Sequence, residues 1–148
     1  MPDTYDRRVQ LGASRRRLED AQVLHNQKRW TGAIYLGGYA IECALKSLIC
    51  YEEGKNNFKD TQVFKKGLQG SDLHNLAKLL GFVNSVQRSI SLDRTNGYRE
   101  AWNKVSSQWR NDELRYSDKL GNEKDSKRFI EAVQKLHRLL LDKQGETS

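Results

Sequence analysis

Apolar residues recur every three or four positions in five stretches of the chain, and nowhere alternate convincingly as in a half-buried strand. Leu11, Leu18, Ala21 and Leu24 predict a first helix over about residues 7–28, with Arg7, Arg8, Arg15, Arg16 and Arg17 on its outer face. The second stretch, about residues 30–53, is the clearest. Trp30, Ala33, Ile34, Gly37, Ile41, Ala44, Leu45 and Leu48 follow the i, i+3, i+4, i+7 rule, and Ala40, Cys43, Ser47 and Cys50 form a further stripe of small residues. A helix apolar on more than one side belongs at the centre of its fold. Gly37-Gly38 costs about 1 kcal/mol per glycine in helix propensity, which close approach of a neighbouring helix would offset. The remaining face carries Tyr35, Tyr39, Glu42 and Lys46.

Residues 54–70 form a polar connector that Phe58, Val63 and Phe64 pin to the body. Ser71-Asp72 marks a third helix start, followed by Leu73, Leu76, Ala77 and Leu80. Past Gly81 the continuation is open, although Phe82, Val83, Val86 and Ile90 keep helical spacing. Tyr98, Ala101, Trp102 and Val105 predict a fourth helix over about 93–107. A fifth starts near Glu123 or Asp125 and ends near Asp142, its core face built from Phe129, Ile130, Val133, Leu136 and Leu140. The pattern describes one all-α bundle of about five helices in a single domain, residues 1–148. Its core spans about 7–142, and residues 144–148 are expected to fray.

A length of 148 residues suits one domain. The mean hydropathy of −0.84 is polar, but the apolar residues are clustered, which argues against disorder. No run reaches the roughly 18 apolar residues that cross a bilayer, and Met1–Asp6 lacks the apolar core of a signal peptide. A soluble, cytoplasmic protein without a membrane association is expected. Cys43 and Cys50, about 10 Å apart along a helix axis, are too distant for a disulfide and are read as reduced packing residues. The formal charge is +7, spread evenly along the chain. This fits an RNA or DNA partner, and equally an ordinary solvated surface.

Phosphate-binding loops, dinucleotide fingerprints, nucleophile elbows and H-E-x-x-H zinc motifs are all absent. His25, His74 and His137 stand apart from one another and from the cysteines, so no metal-ligand spacing exists and no cofactor is implied.

The string Trp30-Thr31-Gly32-Ala33-Ile34-Tyr35-Leu36-Gly37-Gly38-Tyr39-Ala40-Ile41-Glu42-Cys43-Ala44-Leu45-Lys46 resembles the second helix of HEPN domains. There, a helix reading roughly A-x-Y-x-x-x-Y-A-x-E-x-x-L-K precedes a loop and a short H-x-L-x-x-L helix. His74-Asn75-Leu76-Ala77-Lys78-Leu79-Leu80 stands in that second place, and Trp109, Arg115 and Tyr116 resemble the tryptophan and Arg-Tyr pair of some HEPN-like proteins. The resemblance covers about residues 7–142. It implies an antiparallel helical bundle, often a homodimer, in a prokaryotic setting. Many HEPN proteins are metal-independent ribonucleases of toxin–antitoxin, antiphage defence or RNA-processing systems. Others are non-catalytic and bind RNA, nucleotides or a partner protein such as a small nucleotidyltransferase. The nuclease members carry Arg-x4-6-His at a dimer cleft, and no arginine here precedes a histidine at that spacing. Arg17 and His25 lie roughly 12 Å apart along the axis, and Arg128 and His137 fall on opposite faces of one helix.

The resemblance therefore points to a non-catalytic or atypical RNA- or nucleotide-associated module of a defence, toxin–antitoxin or stress system. The enzyme alternative is a metal-independent endoribonuclease toxin, with His74 as general base and Arg115 or Lys46 stabilising charge. A protein-interaction adaptor is the third reading. Glu42 and Lys46, at i and i+4, form a helix ion pair in the favourable order, worth only tenths of a kcal/mol if exposed. A buried Glu42 needs a strong partner, and Arg115 is the expected one, in a structural clasp; the alternative is a ligand-facing site. His74, near a helix start, satisfies either backbone or a neighbouring carboxylate, or else faces a phosphate. Tyr35, Tyr39, Trp109 and Tyr116 are the aromatic binding candidates, and Trp30, Trp102 and Trp109 also sit at core spacing. The run Arg15-Arg16-Arg17 is either a solvated face or, joined to Arg7 and Arg8 in a dimer, a track for a phosphate backbone. His137 is expected as a half-buried packing residue.

Overall fold

The computed structural model describes residues 3–68, 70–118 and 120–146. Among them are eight α-helices: α1 (Arg7–Asn26), α2 (Trp30–Glu53), α3 (Gln62–Lys66), α4 (Leu76–Leu80), α5 (Asn84–Leu92), α6 (Tyr98–Gln108), α7 (Asn111–Arg115) and α8 (Glu123–Asp142). Two 3-10 turns, Phe58–Asp60 and Gly70–His74, complete the regular elements, and no strand forms among the described residues.

The three long helices lie where periodicity places them, and each has a local reason to begin or end. The Asp6 carboxylate accepts the backbone N–H groups of Arg8 and Val9 at 2.8 and 3.2 Å, capping α1. Gly54, at φ 67°, closes α2 in the left-handed conformation that glycine adopts without strain. Asn122 caps α8 by accepting the Asp125 N–H at 2.8 Å. α2 is the centre: its buried residues run unbroken from Ala40 to Cys50. On one side Gly37 brings α8 into contact, with Phe129 and Val133 at van der Waals distance from where a Cβ would stand. The start of α1 lies beside the end of α2, because the Arg7 N–H donates to the Asn56 carbonyl at 2.7 Å. The two ends of α8 meet opposite ends of α1: His25 bonds Ser126 at 2.8 Å, and Arg8 bonds Glu146 at 3.0 Å. α1 therefore runs opposite to both α2 and α8.

Several expectations need correction. The third helix is broken into a 3-10 turn, α4 and α5. Asn75 starts α4 by accepting the Lys78 N–H at 3.0 Å, and the chain turns at Gly81 to bury Val83 before α5. Ala77 is exposed. The fourth helix starts at Tyr98, not near 93. The Asp93 carboxylate instead accepts the Asn96 and Tyr98 N–H groups at 2.9 and 2.8 Å, folding residues 93–97 into a turn. The tail is tied down as far as it is described. Gln144 is buried and accepts from Arg7 and Ser47 at 2.8 and 2.9 Å, and Glu146 pairs with Arg8. Residues 147 and 148 lie outside the described residues. Finally, α2 is by length and composition apolar enough to cross a membrane, contrary to the sequence expectation, but 83% of its most apolar window is packed inside the protein. The connector behaves as expected: Phe58 and Val63 are buried, and Phe64 packs edge-on against Phe58. Cys43 and Cys50 are free and buried. Burial raises their thiol pKa values to about 12 and about 11, so both stay protonated and inert.

Candidate functional site

Glu42 and Lys46 are only 1% and 4% exposed, on the most apolar helix of the chain. Taking two ions out of water costs several kcal/mol each unless their partners are close and well placed. The Lys46 ammonium donates to Glu42 Oε2 at 2.9 Å and also lies 5.8 Å from the centre of the Phe58 ring. The other partner of the carboxylate is His74, whose Nδ1 is 3.1 and 3.2 Å from the two carboxylate oxygens. Glu42 is therefore buried and paired, but not with Arg115. The expected clasp fails because Arg115 is an exposed residue at the end of α7. There it bonds the side chains of Tyr35, first, and Tyr116, which push its pKa further up.

The connector delivers His74 to this position. The 3-10 turn Gly70–His74 carries the ring over the Glu42 face of α2, and the Asn75 N–H closes the turn on the Asp72 carbonyl at 3.1 Å. The ring is clamped on one edge while its side chain stays 40% exposed. It lines a cleft of about 430 Å³, shared with Asp72, Ser106, Trp109, Arg110 and Glu113. Lys78 offsets the charge of Asp72 at 2.6 Å. The arrangement joins an oriented imidazole, a guanidinium, a hydroxyl and the Glu113 carboxylate in one open, polar site. Such a set can bind an anion, and the imidazole can accept or deliver a proton.

Trp109 forms the wall of this cleft that faces α2. Its indole rests on Gly38, so that a Cβ there would land inside the ring. Nε1–H donates to the Tyr35 carbonyl at 3.0 Å. The second glycine thus admits a tryptophan from the α6–α7 link, while the first admits a helix. Tyr35 stacks on Trp109 at 6.4 Å and faces a second cleft of about 570 Å³ with Arg29, Leu114 and Arg115. Tyr35, Arg115 and Tyr116 therefore come together, but away from His74. Tyr39 is half-buried beside Tyr35, and burial, then the nearby Cys43 and Glu42, push its phenol up to about 12.

The basic run on α1 is interrupted by acids. Arg15 lies 3.5 Å from Glu146 and Arg17 lies 3.2 Å from Asp20, while Arg16 is exposed. His137 is fully buried rather than half-buried. The Ser14 hydroxyl donates to the Leu11 carbonyl at 2.7 Å, so His137 Nε2 at 3.0 Å must donate to Ser14 Oγ. Burial, then Arg15, lower its pKa to about 4. Among the described residues no group of three or more His, Cys, Asp or Glu gathers as a metal site. Sequence reasoning missed Arg110, Ser106 and Glu113; the adjacency of Arg110 to Trp109 was the available signal. The chain matches no family model, no curated protein and no solved structure.

Proposed function

We propose that this protein is an HEPN-like antiparallel bundle that binds single-stranded RNA through the His74 cleft and cleaves it slowly or not at all. The observation that carries this reading is His74, clamped from behind by buried Glu42 and opening beside Arg110 into a polar cleft. A guanidinium and an imidazole together suit a phosphodiester. Efficient metal-free cleavage wants one group to take the 2′-hydroxyl proton and a second to protonate the leaving oxygen. Only one imidazole reaches the cleft: His137 is sealed against Ser14, and His25 is bonded to Ser126. The setting proposed is a prokaryotic cytoplasm, in a defence, toxin–antitoxin or stress system. There the protein would act as a homodimer, alone or beside a partner such as a nucleotidyltransferase.

The test is labelled single-stranded RNA in EDTA, scored for binding by anisotropy and for cleavage on a gel. Binding should weaken at least tenfold between about 50 and 200 mM salt, and further in His74→Ala and Arg110→Ala. His137→Ala should leave both readouts unchanged. Affinity indifferent to salt and to Arg110 would reject the RNA reading and favour a protein-interaction adaptor. Rapid cleavage that requires His74 would instead make the protein a metal-independent endoribonuclease.

A further inference from the structure

We infer that Glu42 and Lys46 are positioning residues that fix His74 as the Nδ1–H tautomer, leaving Nε2 as a bare acceptor for a ligand hydroxyl. Lys46 donates to Glu42 at 2.9 Å, so the carboxylate acts as an acceptor. An acceptor within 3.1 and 3.2 Å of Nδ1 requires that this nitrogen carry the proton. In the neutral ring the lone pair then sits on Nε2, at the opposite edge. Nε2 has no hydrogen-bond partner among the described residues, and the side chain is 40% exposed to the cleft. The neutral imidazole thus asks for an O–H or N–H donor. In RNA the group that supplies one beside a phosphate is the ribose 2′-hydroxyl, and Arg110 in the same cleft suits that phosphate. The cleft is thereby selective for ribose over a 2′-blocked sugar. Lys46 touches no ligand and acts only through Glu42.

The ring's proton is fixed in the free protein and can be read without RNA, whereas discrimination of the 2′-hydroxyl rests on the RNA-binding function proposed above. The first measurement is ¹⁵N-detected NMR of the full chain at roughly pH 8, where a free imidazole is neutral. His74 should show a protonated Nδ1 and a non-protonated Nε2. Glu42→Gln, whose amide can donate, should reverse the pattern. Lys46→Met removes the donor that holds Glu42 Oε2 at 2.9 Å, so the carboxylate is no longer fixed against the ring and the Nδ1–H···O hydrogen bond should weaken, read as an upfield shift of the Nδ1 proton. An Nε2–H tautomer in the unaltered protein, or a ring indifferent to both substitutions, overturns the inference; the first of these outcomes needs no variant to fold.

The second measurement compares a short single-stranded RNA with its 2′-O-methyl counterpart. Loss of one hydrogen bond should weaken binding about five- to tenfold, and the preference should vanish in Glu42→Gln. Equal affinity of the unaltered protein for the two probes overturns the 2′-hydroxyl acceptor. No binding of either probe, with the tautomer as stated, rejects the RNA reading and leaves the positioning role standing.

Discussion

The two sides of α2 are built on opposite terms. Toward α8, Gly37 and its apolar neighbours pack directly on Phe129 and Val133. The histidine on that side of the molecule, His137, is sealed between α1 and α8 against the Ser14 hydroxyl. Toward the short elements, Gly38, Glu42 and Lys46 meet Trp109 and His74. One histidine is thus kept neutral by burial, and the other is oriented by a buried carboxylate and left open to solvent. Helix against helix gives a seal. Helix against connector gives an aperture, because turns place single side chains rather than continuous ridges.

The largest predicted effect tests whether the ions on the open side are integral to the fold. Glu42→Ala strands the Lys46 ammonium in the interior and should cost about 3–5 kcal/mol in urea unfolding. Replacing the pair together, with Glu42→Leu and Lys46→Met, removes both charges and should cost much less, since an apolar pair of similar volume needs no partner. If the single and the double variant lose the same stability, the ion pair is not what Glu42 contributes.

The second effect belongs to the sealed side and depends on pH. His137 titrates at about 4 in the fold, against 6.5 for an ordinary imidazole. Between those values the unfolded chain binds more protons than the folded one, so stability rises with pH. It should therefore fall as pH drops from about 6.5 toward 4, by up to about 3 kcal/mol from this residue, and level off below. Unfolding curves of His137→Asn beside the unaltered protein should show the slope flattened in the variant. An unchanged slope would mean that other groups set it.

The open side was also the harder one to read from sequence. The limits of α2, and the core face of α8, follow from apolar spacing alone, because a long helix repeats its signal many times. The start of α4 and the late start of α6 hang on single side chains, Asn75 and Asp93, and the break before α5 on a turn at Gly81, none of which leaves a periodic trace. The burial of Glu42 was legible from its place among apolar residues; its partner was not. Lys46 stood one turn away, but a lysine at i+4 reads as a surface pair, and burial was what made it count. His74 reaches Glu42 only because the connector folds back over α2. Arg115, chosen for its bidentate fork, is held by Tyr35 on the other side of Trp109.

The smallest effect separates the two sides by a single methyl group. Gly37→Ala places a Cβ at 3.4 Å from Phe129 and Val133, ordinary contact distance, so packing has room for it. Helix propensity favours alanine by about 1 kcal/mol, and the net change should be zero to slightly stabilising. Gly38→Ala gains the same propensity but drives its methyl into the Trp109 indole. That ring cannot simply swing aside, because Nε1–H is bonded to the Tyr35 carbonyl at 3.0 Å. Overpacking of this kind costs about 1–3 kcal/mol, which cancels or exceeds the propensity gain. The displaced indole should also perturb the His74 cleft, whose wall it forms, and change the tryptophan fluorescence. A double variant, Gly38→Ala with Trp109→Leu, should recover part of the loss by yielding space to the methyl group. Equal melting temperatures for Gly37→Ala and Gly38→Ala would show that the open side yields as readily as the sealed side accommodates.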